Sequence, residues 1–222
     1  MLGDIVTDDF RTAELFKEAG IDFCCGGKKT LEQACQEKKL NVGIIVERLE
    51  ELQLLPDSPS QNYKDWSLDF LADYIVNTHH KYVLKTLPEL VFYTQKIANV
   101  HGNHHTELIE VAELFGKINT ELLQHLNNEE KVLFPAIKEA LKGNTPKTTE
   151  IILSEITRMN SEHEFAGGAM DKINIMTNGY TIPDDGCNTY MVTFKLLHQF
   201  EEDLHVHVHL ENNILYPKAL KL

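Results

Sequence analysis

The sequence has little positive charge, few cysteines and no long apolar run, and each shortage excludes a class of protein. Lysine and arginine together number 21 against 34 aspartates and glutamates, so the formal net charge is −13. Nucleic acids and anionic membranes select basic surfaces, and we therefore expect neither of them as a partner. No apolar stretch approaches the roughly 18 residues that a membrane-spanning helix needs.

The four cysteines do not have the spacing of a disulfide framework. Cys24 and Cys25 are adjacent, and adjacent cysteines can pair with each other only through a strained ring. The first residues, MLGDIVTDDFRT, contain no basic segment followed by an apolar run, so we expect no signal peptide. Unpaired thiols fit a reducing compartment, and the expected location is the cytoplasm.

The hydrophobic pattern divides the chain into a small helical part, a linker and a larger helical part. Residues 1–55 contain short helical patterns, and residues 56–65 are polar, contain two prolines and have no periodicity, which is typical of a linker. Residues 66–222 contain four long helical patterns with short connections, and they lack the closely spaced turn signals that separate β-strands. This predicts an all-α, up-and-down four-helix bundle. The patterns lie near 67–100, 104–142, 147–177 and 186–212.

Three short helices are predicted in residues 1–55. The first covers AELFKEA, begins at Asp8 or Asp9 and stops at Gly20. The second covers LEQACQEKK and begins with a capping box formed by Thr30 and Gln33. The third, VGIIVERLEELQLL, follows Asn41.

The stretch HVHVHLENNILYP, residues 205–217 in the fourth long pattern, has three histidines on alternate positions. Steps of three and four place one histidine and one glutamate on an apolar stripe: Phe200, Leu204, His207, Glu211, Ile214. A residue two positions away points about 200° around a helix axis, so His205 and His209 should face solvent while His207 faces the core.

The second long pattern repeats this arrangement. Its core stripe again has a histidine four residues before a glutamate: Val111, Leu114, Ile118, Leu122, His125, Glu129, Val132. The segments HLNNEEKVLFP and HVHLENNILYP share His-x3-Glu-x3-Leu-aromatic-Pro, and an internal repeat of this kind implies a pseudo-twofold bundle.

The other two patterns each offer one histidine to the core. The third pattern places His163 on a stripe with Ile156, Met159 and Ala166. In the first pattern the candidates are His79 and His80. The stripe through His80 stays apolar, which favours His80, although periodicity alone leaves both open.

Four histidines and two glutamates on core-facing stripes indicate a metal centre. Burial of two carboxylates without partners would cost several kcal/mol each, and these stripes contain no lysine or arginine. Imidazole together with carboxylate is typical of non-haem di-iron sites in helical bundles, whereas structural zinc prefers a closed tetrahedron. We therefore predict two ions, with iron favoured and manganese or mixed pairs also chemically possible.

Further polar residues lie near these stripes. Glu121 is one turn before His125 and Glu162 is next to His163, so either could be a solvated helix flank or a carboxylate that moves protons beside the centre. The remaining histidines are read as surface residues: His101, His104, His105, His198, His205 and His209.

The stretch IDFCCGGKKT places Cys24 and Cys25 between two short helices. Proximity to a helix N-terminus and to Lys28 and Lys29 should lower a thiol pKa, which would favour thiol chemistry or iron handover. The alternative is that the two cysteines are simply small buried residues in a turn. Cys35 and Cys187 have no comparable neighbours.

With these motifs, the chain resembles the RIC family, the bacterial di-iron proteins for repair of iron centres. The resemblance covers nearly the whole chain: FCCGGK at 23–28, LPEL at 87–90, HLNNEEKVLFP from His125, SEH at 161–163 and HVHLENNILYP from His207. Tyr216 stands where many members have phenylalanine. The resemblance implies two iron ions, held by His80, His125, Glu129, His163, His207 and Glu211, with both glutamates bridging and with Glu121 and Glu162 nearby.

The resemblance also implies repair of iron–sulphur clusters damaged by nitric oxide or peroxide, with damaged cluster proteins as partners. In this hypothesis the centre supplies iron and the thiols of Cys24 and Cys25 assist. The alternatives are a nitric oxide reductase that forms nitrous oxide, an oxygen carrier or sensor of haemerythrin type, and a bundle without metal.

Overall fold

The computed structural model describes residues 1–54 and 62–222, and all of its regular structure over those residues is helical, which confirms the predicted fold class. The amino-terminal part contains α1 (Leu2–Asp8), α2 (Thr12–Glu18), α3 (Leu31–Lys38) and α4 (Val42–Leu54), with a 3₁₀ turn at Gly26–Lys28. Most of the predicted linker, 56–61, lies outside the described residues. Its last part includes a second 3₁₀ turn, Tyr63–Asp65.

The first two helices differ from the prediction. Helix α1 was not predicted, because its apolar stripe consists of little more than Leu2 and Val6, too few to stand out in a periodicity window. Helix α2 begins at Thr12, beyond Asp8 and Asp9. The Asp9 carboxylate accepts from the backbone N–H and the guanidinium of Arg11, which holds the turn before the helix.

The predicted start of the second helix, which is α3 in the structure, is confirmed. The Thr30 hydroxyl accepts from the Gln33 N–H at 3.2 Å, and the Gln33 side chain accepts from the Thr30 N–H at 2.9 Å. This reciprocal capping box satisfies donors that the first turn of α3 would otherwise leave unpaired.

Four long helices form the bundle and confirm the predicted architecture. Three of them are interrupted by a π-helical turn, and their bounds are as follows: α5 runs through Leu68–Ile75, Val76–His80 and Lys81–His101; α6 through Glu107–Asn128, Glu129–Leu133 and Phe134–Ala140; α7 is Pro146–Met176; α8 runs through Asn188–His209, Leu210–Leu215 and Tyr216–Ala219. Pro88 lies inside α5 without ending it.

The π-helical turns change the register of the core stripe. In α6 the predicted stripe continues from Glu129 to Val132, but Val132 is exposed and Leu133 is buried in its place. A π turn contains one more residue than an α turn. The positions that face the core after such a turn are therefore shifted by one residue along the sequence. In α5 the same kind of turn buries both His79 and His80, which explains why periodicity could not separate them.

Two apolar clusters make up the interior, and the candidate ligands lie between them. In α6, Leu126 belongs to one cluster and Leu133 to the other, and in α8 the same change occurs between Val208 and Leu210. The first cluster also contains buried residues of the amino-terminal helices, among them Phe16. The amino-terminal part therefore shares its core with one end of the bundle.

None of the helices in the described part of the chain is both long enough and apolar enough to cross a membrane.

Candidate metal centre

The structure brings the six predicted ligands to one place between the helices. Each of the four bundle helices contributes, and each of the six residues is at most 1% exposed: His80 from α5, His125 and Glu129 from α6, His163 from α7, His207 and Glu211 from α8. All six carry a lone-pair donor suited to a borderline metal ion.

The donor atoms form two groups that share Glu211. One group contains His80, Glu129, His207 and Glu211, the other contains His125, His163 and Glu211, and within each group the donor atoms lie within 4.8 Å of one another. Two groups with one common carboxylate are the arrangement that a pair of neighbouring ions requires.

Both glutamates reach from one histidine pair to the other. Glu129 Oε2 lies 3.3 Å from His80 Nε2 and 3.2 Å from His125 Nε2. Glu211 Oε1 lies 3.0 Å from His207 Nε2, while its Oε2 lies 3.2 Å from His163 Nε2. Each carboxylate is therefore within reach of a donor from both pairs.

Neighbouring side chains orient three of the four imidazoles through their Nδ1 atoms. Acceptors lie beside Nδ1 of His80, His125 and His163 at 2.9, 2.7 and 2.9 Å, and they are respectively Glu130, Glu162 and Asn212. A carboxylate or amide oxygen can only accept, so the proton sits on Nδ1. Nε2 then presents its lone pair to the centre, as in most metal-ligating histidines.

This tautomer leaves an arrangement that a cation would stabilise. His125 Nε2 and His163 Nε2 lie 3.1 Å apart, so two lone pairs would face each other. Among the described residues, His80 Nε2, Glu129 Oε2 and Glu211 Oε2 are buried without a hydrogen-bond partner. Unpaired buried polar atoms cost free energy, and the donors present fit two transition-metal ions.

In the metal-free protein, protons would take the place of the cations. Burial alone would lower the pKa of His80 and His125, but the carboxylates of Glu129 and Glu211 raise both values to about 10. Burial would likewise raise the pKa of Glu129, yet the facing histidines lower it to about 2. The pKa of Glu211 is lowered for the same reason. The site thus attracts positive charge strongly.

The internal repeat extends to the groups around the ligands. Glu130 and Asn212 occupy equivalent positions in the two repeated segments, directly after Glu129 and Glu211, and each holds an imidazole of another helix. The alignment of the two segments could have identified them as a pair before the structure was known.

Tyr216 is the point at which the two repeats differ chemically. Phe134 stacks on His80 with ring centroids 5.7 Å apart, and its counterpart Tyr216 stacks on His163 at 6.0 Å. The Tyr216 hydroxyl also donates to Glu129 Oε1 at 2.6 Å, a bond that phenylalanine cannot make. The exchange of phenylalanine for tyrosine, which looks neutral in the sequence, therefore adds a buried donor to a predicted ligand.

The prediction that His209 faces solvent is wrong, and His205 is half-buried rather than exposed. The amino-terminal part covers this side of α8, where Phe23 lies edge-on to both rings at centroid distances of 6.2 and 5.7 Å. Helical periodicity assigns a polar stripe to the outside, but it contains no information on a second part of the chain that packs there. His198 and His104 are exposed, whereas His101 and His105 are half-buried.

The two carboxylates predicted beside the centre have different positions. Glu162 accepts from His125 Nδ1 and lies 3.8 Å from the Arg158 guanidinium, and its hydrogen bond with His125 lowers its pKa. Glu121 is exposed and forms no hydrogen bond or ion pair with the six ligand candidates, although it lines an open cavity together with Glu162 and Arg158.

The turn that contains Cys24 and Cys25 is closed by Asp22. The Asp22 carboxylate accepts from the backbone N–H groups of Cys24, Cys25 and Gly26 at 2.9–3.0 Å. Because Asp22 already occupies these donors, they cannot stabilise a thiolate. The pKa of Cys24 is raised by its contact with the Cys25 thiol and by burial, so the expectation of a lowered pKa is wrong for Cys24.

This turn docks directly over the centre. The Cys25 thiol donates to the main-chain oxygen of His163, with Sγ and O 3.6 Å apart. The Asn213 side chain donates to the main-chain oxygens of Phe23 and Cys24, at 3.2 Å in both cases. The cysteine pair is therefore attached to the two helices that supply His163, His207 and Glu211.

Cys187, which has no distinctive neighbours in the sequence, has one in the structure. It is exposed at the start of α8, and its Sγ lies 3.2 Å from His101 Nε2. This hydrogen bond lowers the pKa of Cys187 to about 7. The contact joins the end of α5 to the start of α8, which are 86 residues apart, so sequence spacing gave no signal of it.

Comparison with known protein families agrees with this geometry. Residues 71–219 match the family described as "Hemerythrin HHE cation binding domain", and residues 1–53 match the one described as "Domain of Unknown function (DUF542)". The bundle is therefore a haemerythrin-like cation-binding domain.

Several curated proteins are similar over nearly the whole chain. "Iron-sulfur cluster repair protein YtfE" of Pectobacterium atrosepticum is 34% identical over 220 residues, covering 99% of this chain and 96% of the relative. "Probable iron-sulfur cluster repair protein" of Haemophilus influenzae is 38% identical, covering 93% and 90%. "Iron-sulfur cluster repair protein ScdA" of Staphylococcus epidermidis is 29% identical, covering 99% and 97%. The chain belongs to the RIC family, as its motifs predicted.

Proposed function

We propose that the chain repairs damaged iron–sulphur clusters and supplies iron from a non-haem di-iron centre. The observation that carries this proposal is the pair of buried donor groups that share Glu211, placed beneath the Cys24–Cys25 turn. The names of the relatives support repair, and the match to a cation-binding family supports a metal in the bundle.

The six side chains would hold the two ions as two histidine pairs joined by two carboxylates. His80 and His207 would form one pair and His125 and His163 the other, with Glu129 and Glu211 between them. When bound, the iron would be available both as a redox-active pair and as cargo for a cluster that lacks iron. Glu130, Glu162 and Asn212 keep the Nδ1 protons, so that all three Nε2 atoms stay free for ligation.

The cysteine turn would assist transfer of cargo iron to a damaged protein. Cys25 is only partly buried and contacts the main-chain oxygen of His163, so its thiol lies on the way from the centre to the surface of the turn. Binding of iron to this sulfur would release the thiol proton, since thiolate is the ligand form. Cys24 is buried and its pKa is raised, so it would act after Cys25 rather than before it.

Repair is favoured over the two other activities that the motifs allow. Nitric oxide reduction would need only the bundle, as would oxygen carriage, whereas the cysteine turn is fixed over the centre by bonds from Asn213 and Cys25. The relatives that match nearly their whole length also carry repair in their names. Damaged iron–sulphur proteins are thus the proposed partners, and nitric oxide is a proposed source of the damage.

A reconstitution assay tests this function. Iron-loaded protein is mixed without oxygen with a [4Fe–4S] dehydratase inactivated by nitric oxide, and the recovery of dehydratase activity is followed together with iron transfer. We expect recovery with the loaded protein, little with metal-free protein, and slower recovery with Cys25→Ser. Nitrous oxide formed over many turnovers, with no dehydratase recovery, would contradict the proposal and identify a reductase.

Metal analysis tests the ligand set. The variants Glu129→Leu and Glu211→Leu keep a side chain of similar size but remove carboxylate oxygens that reach both histidine pairs, so we expect purified protein to contain well under two irons per chain. His104→Ala, which changes an exposed histidine, is the matched control and should retain the wild-type content. Unchanged iron in both glutamate variants would refute the assignment.

A further inference from the structure

A second group of potential ligands lies where the amino-terminal part meets α7 and α8. Asp171, Glu201 and His205 each place one donor atom within 4.8 Å of the other two. Glu201 and His205 are four residues apart on α8 and therefore share one face of the helix. The three residues line a cavity of about 270 Å³, and other parts of its wall are formed by Lys17, Asp22, Cys24 and Lys38.

Three carboxylates (Asp22, Asp171 and Glu201) and two lysines (Lys17 and Lys38) line this cavity, so carboxylates outnumber lysines there. Within the described parts of the chain, neither lysine forms an ion pair with Asp171 or Glu201, and Lys17 is paired with Glu202 instead. Lys38 and Lys17 only partly offset the charges of Asp171 and Glu201, respectively. Burial raises the pKa of Asp171, and burial also raises that of Glu201 to about 7. A cation in the cavity would stabilise both carboxylates.

The surroundings of the buried Glu201 carboxylate also favour a bound cation in the cavity. Glu201 is only 5% exposed, with Asn174 Nδ2 donating to one carboxylate oxygen at 2.9 Å. The Tyr180 hydroxyl is buried beside this carboxylate and can donate to it. Burial raises the Tyr180 pKa, and so do the nearby charges of Glu201 and Asp171. A buried carboxylate that has only neutral hydrogen-bond donors beside it is costly unless a cation completes the arrangement.

The neighbouring group of Asp22, Cys24 and Cys25 is a weaker candidate, although its donor atoms are equally close. The Asp22 carboxylate already accepts from three backbone N–H groups and from the Cys24 thiol. Its oxygens are therefore engaged in closing the turn. Asp171, by contrast, is exposed at the mouth of the cavity and free to approach an ion.

We propose that Asp171, Glu201 and His205 form a third metal site per chain, which binds a divalent first-row transition ion such as iron(II). One imidazole with two carboxylates suits such ions, whereas calcium and magnesium take oxygen ligands alone and copper(I) prefers sulfur. The site is separate from the bundle centre, because His205 lies two residues from His207 and points to the opposite side of α8. It lies beside the cysteine turn, and its existence does not depend on the proposed repair activity.

Cobalt(II) is a suitable probe because it substitutes for other first-row ions and gives visible d–d absorption. Protein already loaded with two irons is dialysed against cobalt(II) under nitrogen, and both metals are then quantified. We expect one cobalt per chain with the iron retained. We expect cobalt affinity to fall at least about 10-fold in Glu201→Gln and in His205→Ala, again with two irons retained.

His104→Ala is the matched control and should bind cobalt as the wild type does. Glu201→Gln keeps the shape of the side chain, and circular dichroism shows whether each variant remains folded. Equal cobalt binding by the wild type and both variants would overturn the site, as would the absence of a third metal. A thiolate-to-cobalt charge-transfer band that Cys24→Ser abolishes would also overturn it, because the ion would then be bound by the cysteine turn.

Discussion

Tyr216 shows how a single hydroxyl can distinguish two otherwise equivalent halves of a site. Its hydroxyl donates to Glu129 at 2.6 Å, whereas the equivalent Phe134 has nothing to donate to Glu211. We expect Tyr216→Phe to fold normally but to release metal to a chelator about 10-fold faster, because Glu129 loses the bond that fixes its orientation. The loss of metal is followed by absorbance after mixing with excess chelator.

The control for this prediction is Tyr190→Phe, which removes a hydroxyl from a buried tyrosine that contacts His101 and His105, away from the centre. Its release rate should match the wild type. If Tyr216→Phe released metal at the wild-type rate, the hydrogen bond would have no part in holding Glu129.

Cys187 should be the most reactive thiol near neutral pH. Its pKa is lowered to about 7 by His101, so its thiolate fraction rises as the pH increases through that value, whereas Cys24 has a raised pKa and is buried. We expect iodoacetamide to modify Cys187 first, at a rate that increases about tenfold from pH 6 to 8. Mass spectrometry of the timed reaction identifies the site. His101→Ala should move the half-maximal rate to higher pH, and an unchanged profile would show that the contact is not responsible.

The burial of the six candidate ligands was predictable from the sequence, but the residues that orient them were only partly so. His207 and Glu211 stand out because polar side chains interrupt an apolar stripe, and His125 and Glu129 repeat the signal. The interaction of Glu130 with His80 crosses between helices, and helical spacing contains no information on such contacts.

At the scale of elements, the turn from Asp22 to Lys28 is fixed by one close approach to α8. A Cβ atom on Gly27 would lie 2.2 Å from Asn213 Oδ1, well inside van der Waals contact. We expect Gly27→Ala to lower the free energy of unfolding by about 2 kcal/mol and to loosen the turn, so that Cys24 becomes accessible to alkylation. Urea unfolding and alkylation rates measure the two effects.

Gly143→Ala is the matched control, since an added Cβ there meets nothing within 4 Å. It should be close to wild type in both measurements. Wild-type stability and wild-type protection of Cys24 in Gly27→Ala would show that the turn adapts without loss.

The helices themselves were mostly predictable, while their irregularities were not. The four long patterns correspond to α5, α6, α7 and α8, because each stripe continues for many turns. The π-helical turns at the ligands break the 3.6-residue period on which that reasoning depends, as Val132 and Leu133 show. Helix α1 has too few residues to establish any period.

At the scale of the whole molecule, metal ions and protons should compete for the same buried imidazole and carboxylate groups. In metal-free protein the pKa values of His80 and His125 are raised to about 10 from 6.5, so their contribution to stability is complete below about pH 6.5 and is lost as the pH rises toward 10. The pKa of Glu129 is lowered to about 2, so its contribution is present above about pH 4.5 and is lost as the pH falls through about 2.

Metal-loaded protein should not show the loss at high pH, because metal occupies the imidazole nitrogens in place of protons. We expect the difference in unfolding free energy between loaded and metal-free protein to grow by more than about 1 kcal/mol from pH 6.5 to 9. Urea titrations at both pH values, with and without chelator, measure it. A difference that stays constant would mean that the histidines are not protonated in the metal-free protein.

The relation between the two parts of the chain was the least predictable feature. The stripe of His198, Glu202, His205 and His209 is polar, which is the normal sign of a solvent-facing surface, yet the amino-terminal part packs over the end of it nearest the ligands. Short-range patterns determine which residues share a face, but they do not determine what covers that face.

The π-helical turns at His80, Glu129 and Glu211 also bear on how tolerant this chain is of changes in length. Each turn behaves as a single-residue insertion that the helix has absorbed without a break. Deletion of one residue from such a turn would let the helix return to ordinary winding, and the apolar packing on either side could survive. The ligand in that turn would then be rotated by about 100° around the axis, so a shortened protein could still fold well and yet be unable to hold its ions.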